Sequence, residues 1–484
     1  MLTSMARNDR ARVLKVGGGL VGALIVVEFV SGFLQGYYTP LATDVARHLG
    51  INDADINWFE AGQLLLSALV VPALAKLGDL YGHQKVLFWS AIATAAATWG
   101  IAFANDFWTY LIFWSLQGFY VVWLPLDVAI IYLRSTGMDF RSAATRRATG
   151  IIVAALQVGA ITGALSAGIF AGVFDELWMV LVVPAVLTSG VALAIHLGVS
   201  RDHVGLSGQL DARGFALLSI GLLAITGGLS LIRLQGVGAV WPWLAIVVGM
   251  AFVAGFARHA WNHEDPLIDL RVMKQPSMWP IQLTAGLFGV SILGAQIPLS
   301  TYAQTDPDEH GFGLGMTSST VAPLIGGYVV SLLIGALLFS VIARRLGPRN
   351  TLIGATVLVA VGYGSLVPFH LSLVAVAVCM VVAGVGSGAL VAALPAAAAA
   401  AAPEGRVGVA TGLTNTTKTV GGAFASCIFG VALATGTTHD TAASMSGYYT
   451  VWVVCSVTAV VAAVLLKFVP KLAFADPLEI EELS

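Results

Sequence analysis

Fourteen apolar stretches follow one another along the 484 residues, joined by short polar connections. Each is about 17 to 25 residues long, the length an α-helix needs to cross a hydrocarbon core roughly 30 Å thick. They lie near 17–38, 57–77, 86–104, 107–132, 148–173, 177–198, 213–233, 238–258, 277–301, 318–343, 351–368, 371–395, 408–434 and 446–468. In lipid a helix satisfies its backbone polar groups internally. The expected fold class is therefore an all-α integral membrane protein of about fourteen transmembrane helices.

Charge agrees with that reading. Only 10% of residues are charged and 57% are hydrophobic, whereas soluble domains carry roughly a quarter charged residues. A formal charge of −2 offers nothing to draw a nucleic acid. An even number of spans puts both termini on one side. Of the 24 Lys and Arg residues, all but Arg47, Arg233 and Lys418 fall on the connections of that side. By the positive-inside rule that side is cytoplasmic; abundant Ala, Val and Gly, with arginine exceeding lysine, associates the chain with a GC-rich bacterial genome, so the expected place is a bacterial inner (plasma) membrane, crossed many times. Acids such as Asp44, Asp53, Asp106 and Asp308 collect on the opposite connections.

Arg7 to Lys15 before an apolar run is reminiscent of a signal peptide, but no small-x-small site follows and Glu28 interrupts the run. The segment is expected to stay as the first span. Cys379, Cys427 and Cys455 lie in apolar runs at spacings that suit neither a metal nor a disulfide framework, and read as small core residues. No metal-ligand cluster, nucleophile motif or phosphate loop is apparent, so no catalytic residue, metal or cofactor is expected.

A weak internal repeat relates Ala75 to Lys85, after span 2, to Ser340 to Asn350, after span 10: each ends an apolar helix with a glycine and basic residues. Such repeats build secondary transporters from two halves. The expected division is an amino-terminal six-helix half, 1–200; an inserted helix pair, spans 7 and 8, with its linkers, 201–275; and a carboxy-terminal six-helix half with a tail, 276–484.

At these residues the sequence resembles the major facilitator superfamily, and within it the fourteen-span drug/proton antiporters. The family's loop motif G-x-L-x-D-R-x-G-R-K is met at Leu77, Asp79, Gly82 and Lys85, with Ala75, His83 and Gln84 departing. Pro403 to Gly422 is similar to the family's loop and thirteenth span. Three other motifs depart: Trp114 holds the position of the span 4 arginine, Gly159 to Gly163 lacks the span 5 proline, and Ser31 stands in place of the span 1 acid. The resemblance implies a major facilitator fold and alternating access that exports an amphiphilic small molecule in exchange for protons. The departures leave open a facilitator or importer of a metabolite without antiport, and more remotely a lipid-handling or non-transporting protein. The expected partners are a small-molecule substrate, protons and the lipid bilayer, with no nucleic acid, and the protein is expected to be monomeric.

Ionisable groups inside spans are costly and usually functional. Glu28 lies roughly 20 Å along the helix from Lys15, near the bilayer middle, with Ser31, Gln35 and Thr39 on its face. It is the first proton-coupling candidate; a carboxyl held for packing alone is the other reading. Asp127, with Tyr120, Trp123 and Arg134 at helical spacing, is the second. It is expected nearer the cytoplasm, as a coupling group or in an ion pair with Arg134. Lys418 is expected to meet an anionic ligand or a counter-ion such as Glu28 or Asp127. Further cavity candidates are Gln35, Gln117, Tyr120, Trp123, Gln157, Gln282, Gln296 and Asn415; span 9 is expected to present Gln282, Gly286, Gly289, Gln296 and Ser300 on one face. The family motif implies a gating loop of Asp79, Gly82 and Lys85, to which Arg134 is added.

Overall fold

The computed structural model describes residues 2–134, 141–200, 210–236, 238–264, 266–401, 407–435 and 441–469. Over these the chain is helical. The elements are α1 (Leu2–Tyr37), α2 (Ala42–Leu49), α3 (Ile56–Tyr81), α4 (His83–Ala102), α5 (Phe107–Gln117), α6 (Trp123–Arg134), α7 (Arg141–Val173), α8 (Leu177–Gly198), α9 (Ala212–Gln235) and α10 (Val240–Asn262). They continue as α11 (Leu270–Met273), α12 (Trp279–Ile292), α13 (Gln296–Gln304), α14 (Pro307–His310), α15 (Ser318–Leu346), α16 (Pro348–Phe369), α17 (Leu373–Ala400), α18 (Val407–Ala434) and α19 (Met445–Leu466). Among the described residues 14 segments are long and apolar enough to cross a membrane, from Gly19–Leu49 to Met445–Leu466.

Two spans are not the continuous helices that hydropathy suggests. Span 4 passes through a 3-10 segment, Gly118–Val122, between α5 and α6. Pro125 follows, and a proline cannot donate to the carbonyl four residues back. Span 9 breaks between α12 and α13. There Pro298 faces the carbonyl of Gly294, so the same argument applies. The single polar face expected along span 9 is therefore interrupted.

Packing follows the small residues. A Cβ at Gly32 would lie 1.8 Å from the Leu156 carbonyl oxygen and one at Gly36 2.1 Å from that of Ala160; reciprocally, Gly159 and Gly163 abut Phe29 and Phe33. α1 and α7 thus touch backbone to backbone, as small residues permit in membranes. The same device joins α12 to α18: Gly289 abuts the Lys418 carbonyl and Gly421 that of Gly286. The loop repeat also has a structural counterpart. α3 turns into α4 through Gly82 at φ +99°, and α15 into α16 through Gly347 at φ +80°, a region glycine enters without steric cost.

One buried apolar cluster gathers mainly residues of α1 to α8, with Ile297 of α13; another gathers mainly those of α11 to α19, with Ala54 and, from α7, Ala160 and Ala164; and a smaller one joins Leu64, Leu65 and Leu69 to Leu218, Leu222, Phe256 and Ala423. Through this last cluster α9 and α10 lean on α3 and α18. All three cysteines are buried and unpaired.

Candidate functional site

Glu28 on α1 and Asp127 on α6 are both fully buried and close enough to interact directly. None of their four oxygens has a hydrogen-bond partner of acceptable geometry. This departs from the expectation on two counts. The two acids are within interaction range of each other rather than apart along the bundle, and Asp127 has no ion pair with Arg134, which donates instead to the Ser200 carbonyl at 2.9 Å. Trp123, fully buried, donates to Ser90 Oγ at 3.1 Å.

Above the acids, Gln117 knits spans 1, 2, 3 and 4 together. Its amide donates to Tyr38 Oη at 3.0 Å and Thr98 Oγ1 at 3.1 Å, and its oxygen accepts from Gln63 Nε2 at 3.1 Å. A buried, saturated amide of this kind holds helices rather than a ligand. Gln282 is also buried, its Nε2 donating to the Ala410 carbonyl at 3.2 Å and Thr414 Oγ1 at 2.9 Å across the α12–α18 contact, while its Oε1 accepts no hydrogen bond among the described residues. Gln296 donates to the Ile292 carbonyl at 2.7 Å. The structure thus puts Gln117 and Gln282 inside helix contacts, not on an open face, and Tyr120 is also buried. Gln35 is exposed; Gln157, Asn415 and Lys418 are half-buried.

Lys418 finds neither Glu28 nor Asp127. Among the described residues its ammonium has no ion pair or hydrogen bond. Glu60, which sequence reasoning passed over, is in the same condition: half-buried on α3, with Tyr120 within electrostatic reach and no bonded partner among the described residues. A signal for it existed, since Glu60 shares a helical stripe with Asn57, Gln63 and Ser67 inside an apolar stretch.

The hydrogen bonds that cross between the two large helix sets all lie, among the described residues, at the end carrying Asp44 and Asp53. Asn52 Nδ2 donates to the Ala442 carbonyl at 2.9 Å, the Asp53 amide to that of Thr441 at 2.9 Å, and Gln304 Nε2 to that of Pro40 at 3.1 Å. Ser318 Oγ donates to Asp44 Oδ2 and, at 3.0 Å, to Gln304 Oε1. Arg47, one of the few basic residues on this side, pairs with Asp53 at 3.0 Å. At the other end Asp79 meets His83 Nε2 at 3.1 Å across the Gly82 turn, and Lys85 is exposed. The side chains of Arg141 to Arg147 lie outside the described residues.

A group that the sequence pattern did not bring together lies at the end of the α9–α10 pair. Asp211, His259 and His263 each bring one ligand atom within 4.8 Å of the others. Asp211 caps α9, accepting from Gly214 N at 2.8 Å, and also accepts from Leu267 N at 3.2 Å and faces His259 Nε2 at 2.8 Å. Burial opposes its charge, yet those three bonds hold its carboxyl below the usual range. The i, i+4 histidines were legible in the sequence; their acid, 48 residues away, was not.

These features define a polytopic helical membrane protein of two large helix sets, latched at one end and with buried acids in one set. The sequence matches the Major Facilitator Superfamily over residues 24–426 and 283–482, and the chain belongs to that family. It is 25% identical over 320 residues to the multidrug resistance protein B homolog of Mycobacterium tuberculosis, covering 65% of this chain and 57% of that protein. It is 23% identical to the tetracenomycin C resistance and export protein of Streptomyces glaucescens, over 81% of this chain and 71% of the relative. The probable actinorhodin transporter of Streptomyces coelicolor is 24% identical over 71% and 58%. The chain therefore spans little more than half the length of two of these three relatives. Among solved structures, a POT peptide transporter in complex with sulfate superposes with TM-score 0.65 at 16% identity, covering 94% of this chain and 96% of its own. The nucleoside transporter NupG gives 0.64 at 13%, over 93% and 98%. At such identities these show the fold alone.

Proposed function

We propose that this protein is a secondary transporter which exports an amphiphilic small molecule in exchange for protons. The observation that carries the reading is the Glu28–Asp127 pair. Two carboxyls within interaction range of each other in an apolar interior cannot both be ionised without strong repulsion. With no other partner bonded to either, the pair is a natural place to hold a proton and to release it when water enters. The resistance and export proteins among its relatives favour a drug-like substrate. In this reading Glu60 and Lys418, ionisable and uncompensated, line the path with Gln35, Gln157 and Asn415. Residues 1–200 and 276–484 rock against each other around 201–275, and the Asp79–His83 turn tunes the balance of states. We place both termini in the cytoplasm of a bacterial inner membrane, with the chain working as a monomer.

The test is flux in reconstituted vesicles, with ethidium and an anionic aromatic dye as probes, with and without an imposed pH gradient. Glu28→Gln keeps hydrogen-bonding capacity but cannot release a proton. It should lose gradient-driven accumulation and keep downhill movement. Accumulation equal to wild type would remove Glu28 from coupling.

A further inference from the structure

The transport reading makes no use of the cluster at the end of the α9–α10 pair. We propose that Asp211, His259 and His263 form a binding site for a divalent transition metal of the zinc class. Two imidazoles and one carboxylate are the donor set that suits zinc, nickel or copper rather than magnesium or calcium, which prefer all-oxygen shells. His259 and His263 are one helical turn apart, their ring centroids 5.1 Å from each other. Their spacing puts both on one side of the end of α10.

The acid is already oriented. The amides of Gly214 and Leu267 hold the Asp211 carboxylate from two directions, the kind of outer bonding that fixes a metal ligand before the ion arrives. Four-coordinate zinc with bonds of about 2.0 to 2.2 Å spaces its ligand atoms roughly 3.3 Å apart. The 2.8 Å contact between His259 Nε2 and Asp211 must therefore widen by only about half an ångström. His259 binds the metal through Nε2 as the neutral Nδ1–H tautomer: a proton on Nε2 of the neutral ring moves to Nδ1 through solvent, and a doubly protonated ring releases its Nε2 proton to solvent. Three protein ligands leave a fourth position for water.

The position of the site says what a bound ion would do. Leu267, Ile268 and Leu270 pack against the cluster formed by α3, α9, α10 and α18, and the Leu267 amide is bonded to the metal-binding acid. An ion would pin the segment leading into α12 against the α9–α10 pair, away from Glu28 and Asp127. It is a staple of the inserted pair, not part of the transport chemistry.

The experiment uses the full chain in detergent, its affinity tag removed and its metals stripped with chelator. Zinc chloride is titrated by calorimetry, and the thermal unfolding midpoint is followed with zinc and, as control, magnesium. One equivalent of zinc should bind and raise the midpoint, magnesium should not, and cobalt should give the visible absorption of a tetrahedral site. His263→Ala, which leaves the Asp211–His259 contact in place, should weaken zinc at least about tenfold while unfolding like wild type in chelator; His259→Ala should do the same or more. Absence of stoichiometric zinc binding, or binding unchanged in both variants, overturns the proposal.

Discussion

Glu28 of α1 and Asp127 of α6 lie within interaction range inside the amino-terminal helix set, both fully buried, with no hydrogen-bond partner on either carboxyl among the described residues. Glu28→Gln and Asp127→Asn should therefore behave as one unit. Each single variant should lower gradient-driven accumulation at least about tenfold, and the double variant should be no worse than the more damaging single, because groups that act together are not additive. Neutral amides also relieve repulsion between neighbouring acids, so the thermal midpoint of each variant in detergent should equal or exceed that of wild type. Additive losses of flux would mean that the two acids act separately.

The latch at the Asp44 end predicts a conformational bias. Asn52 and Ala442 are in contact, so cysteines placed at both positions should cross-link readily in the resting protein. Replacing Ser318 with Ala removes its bonds to Asp44 and Gln304. Cross-linking yield should then fall as the closed end opens more often. An unchanged yield would show that the backbone contacts at Thr441 and Ala442 suffice.

Gly32 is one of four glycines at the α1–α7 contact. An added methyl there would meet the Leu156 carbonyl at 1.8 Å, and backbone cannot yield as a flexible side chain would. Gly32→Ala should destabilise the protein by about 1–3 kcal/mol, as overpacking does. Gly227→Ala, where the added atom meets nothing within 4 Å, is the control and should leave the thermal midpoint in place.

Glu60 and Lys418 predict selectivity by charge. Glu60→Gln should weaken movement of ethidium more than that of an anionic dye, and Lys418→Gln the reverse. Parallel losses for both dyes in either variant would assign that residue to structure.

Gln117 and Gln282 show how far a sequence can be read. Their presence within apolar stretches was plain, but whether such an amide faces a cavity or a neighbouring helix depends on rotation and contacts set by other spans. Glu60 is equally visible, an acid one turn into an apolar stretch, but its place near the start of the span reads as a helix end. Its importance rests on what does not approach it in space.

What the sequence determined by itself was the set of spans, the sidedness of charge, the glycine-ended loop repeat and the family. Those properties are local: hydropathy is summed along a single helix, and a turn that needs positive φ asks for glycine wherever it occurs. Tertiary structure alone decided that Glu28 and Asp127 come within interaction range, that Lys418 pairs with neither, and that Asp211 reaches two histidines 48 and 52 positions away. Helices in a bilayer choose their neighbours by close fit of small residues such as Gly32, Gly159, Gly289 and Gly421. That fit fixes rotation and depth between segments far apart in the chain, so the chemistry of the buried groups emerges only when the bundle has closed.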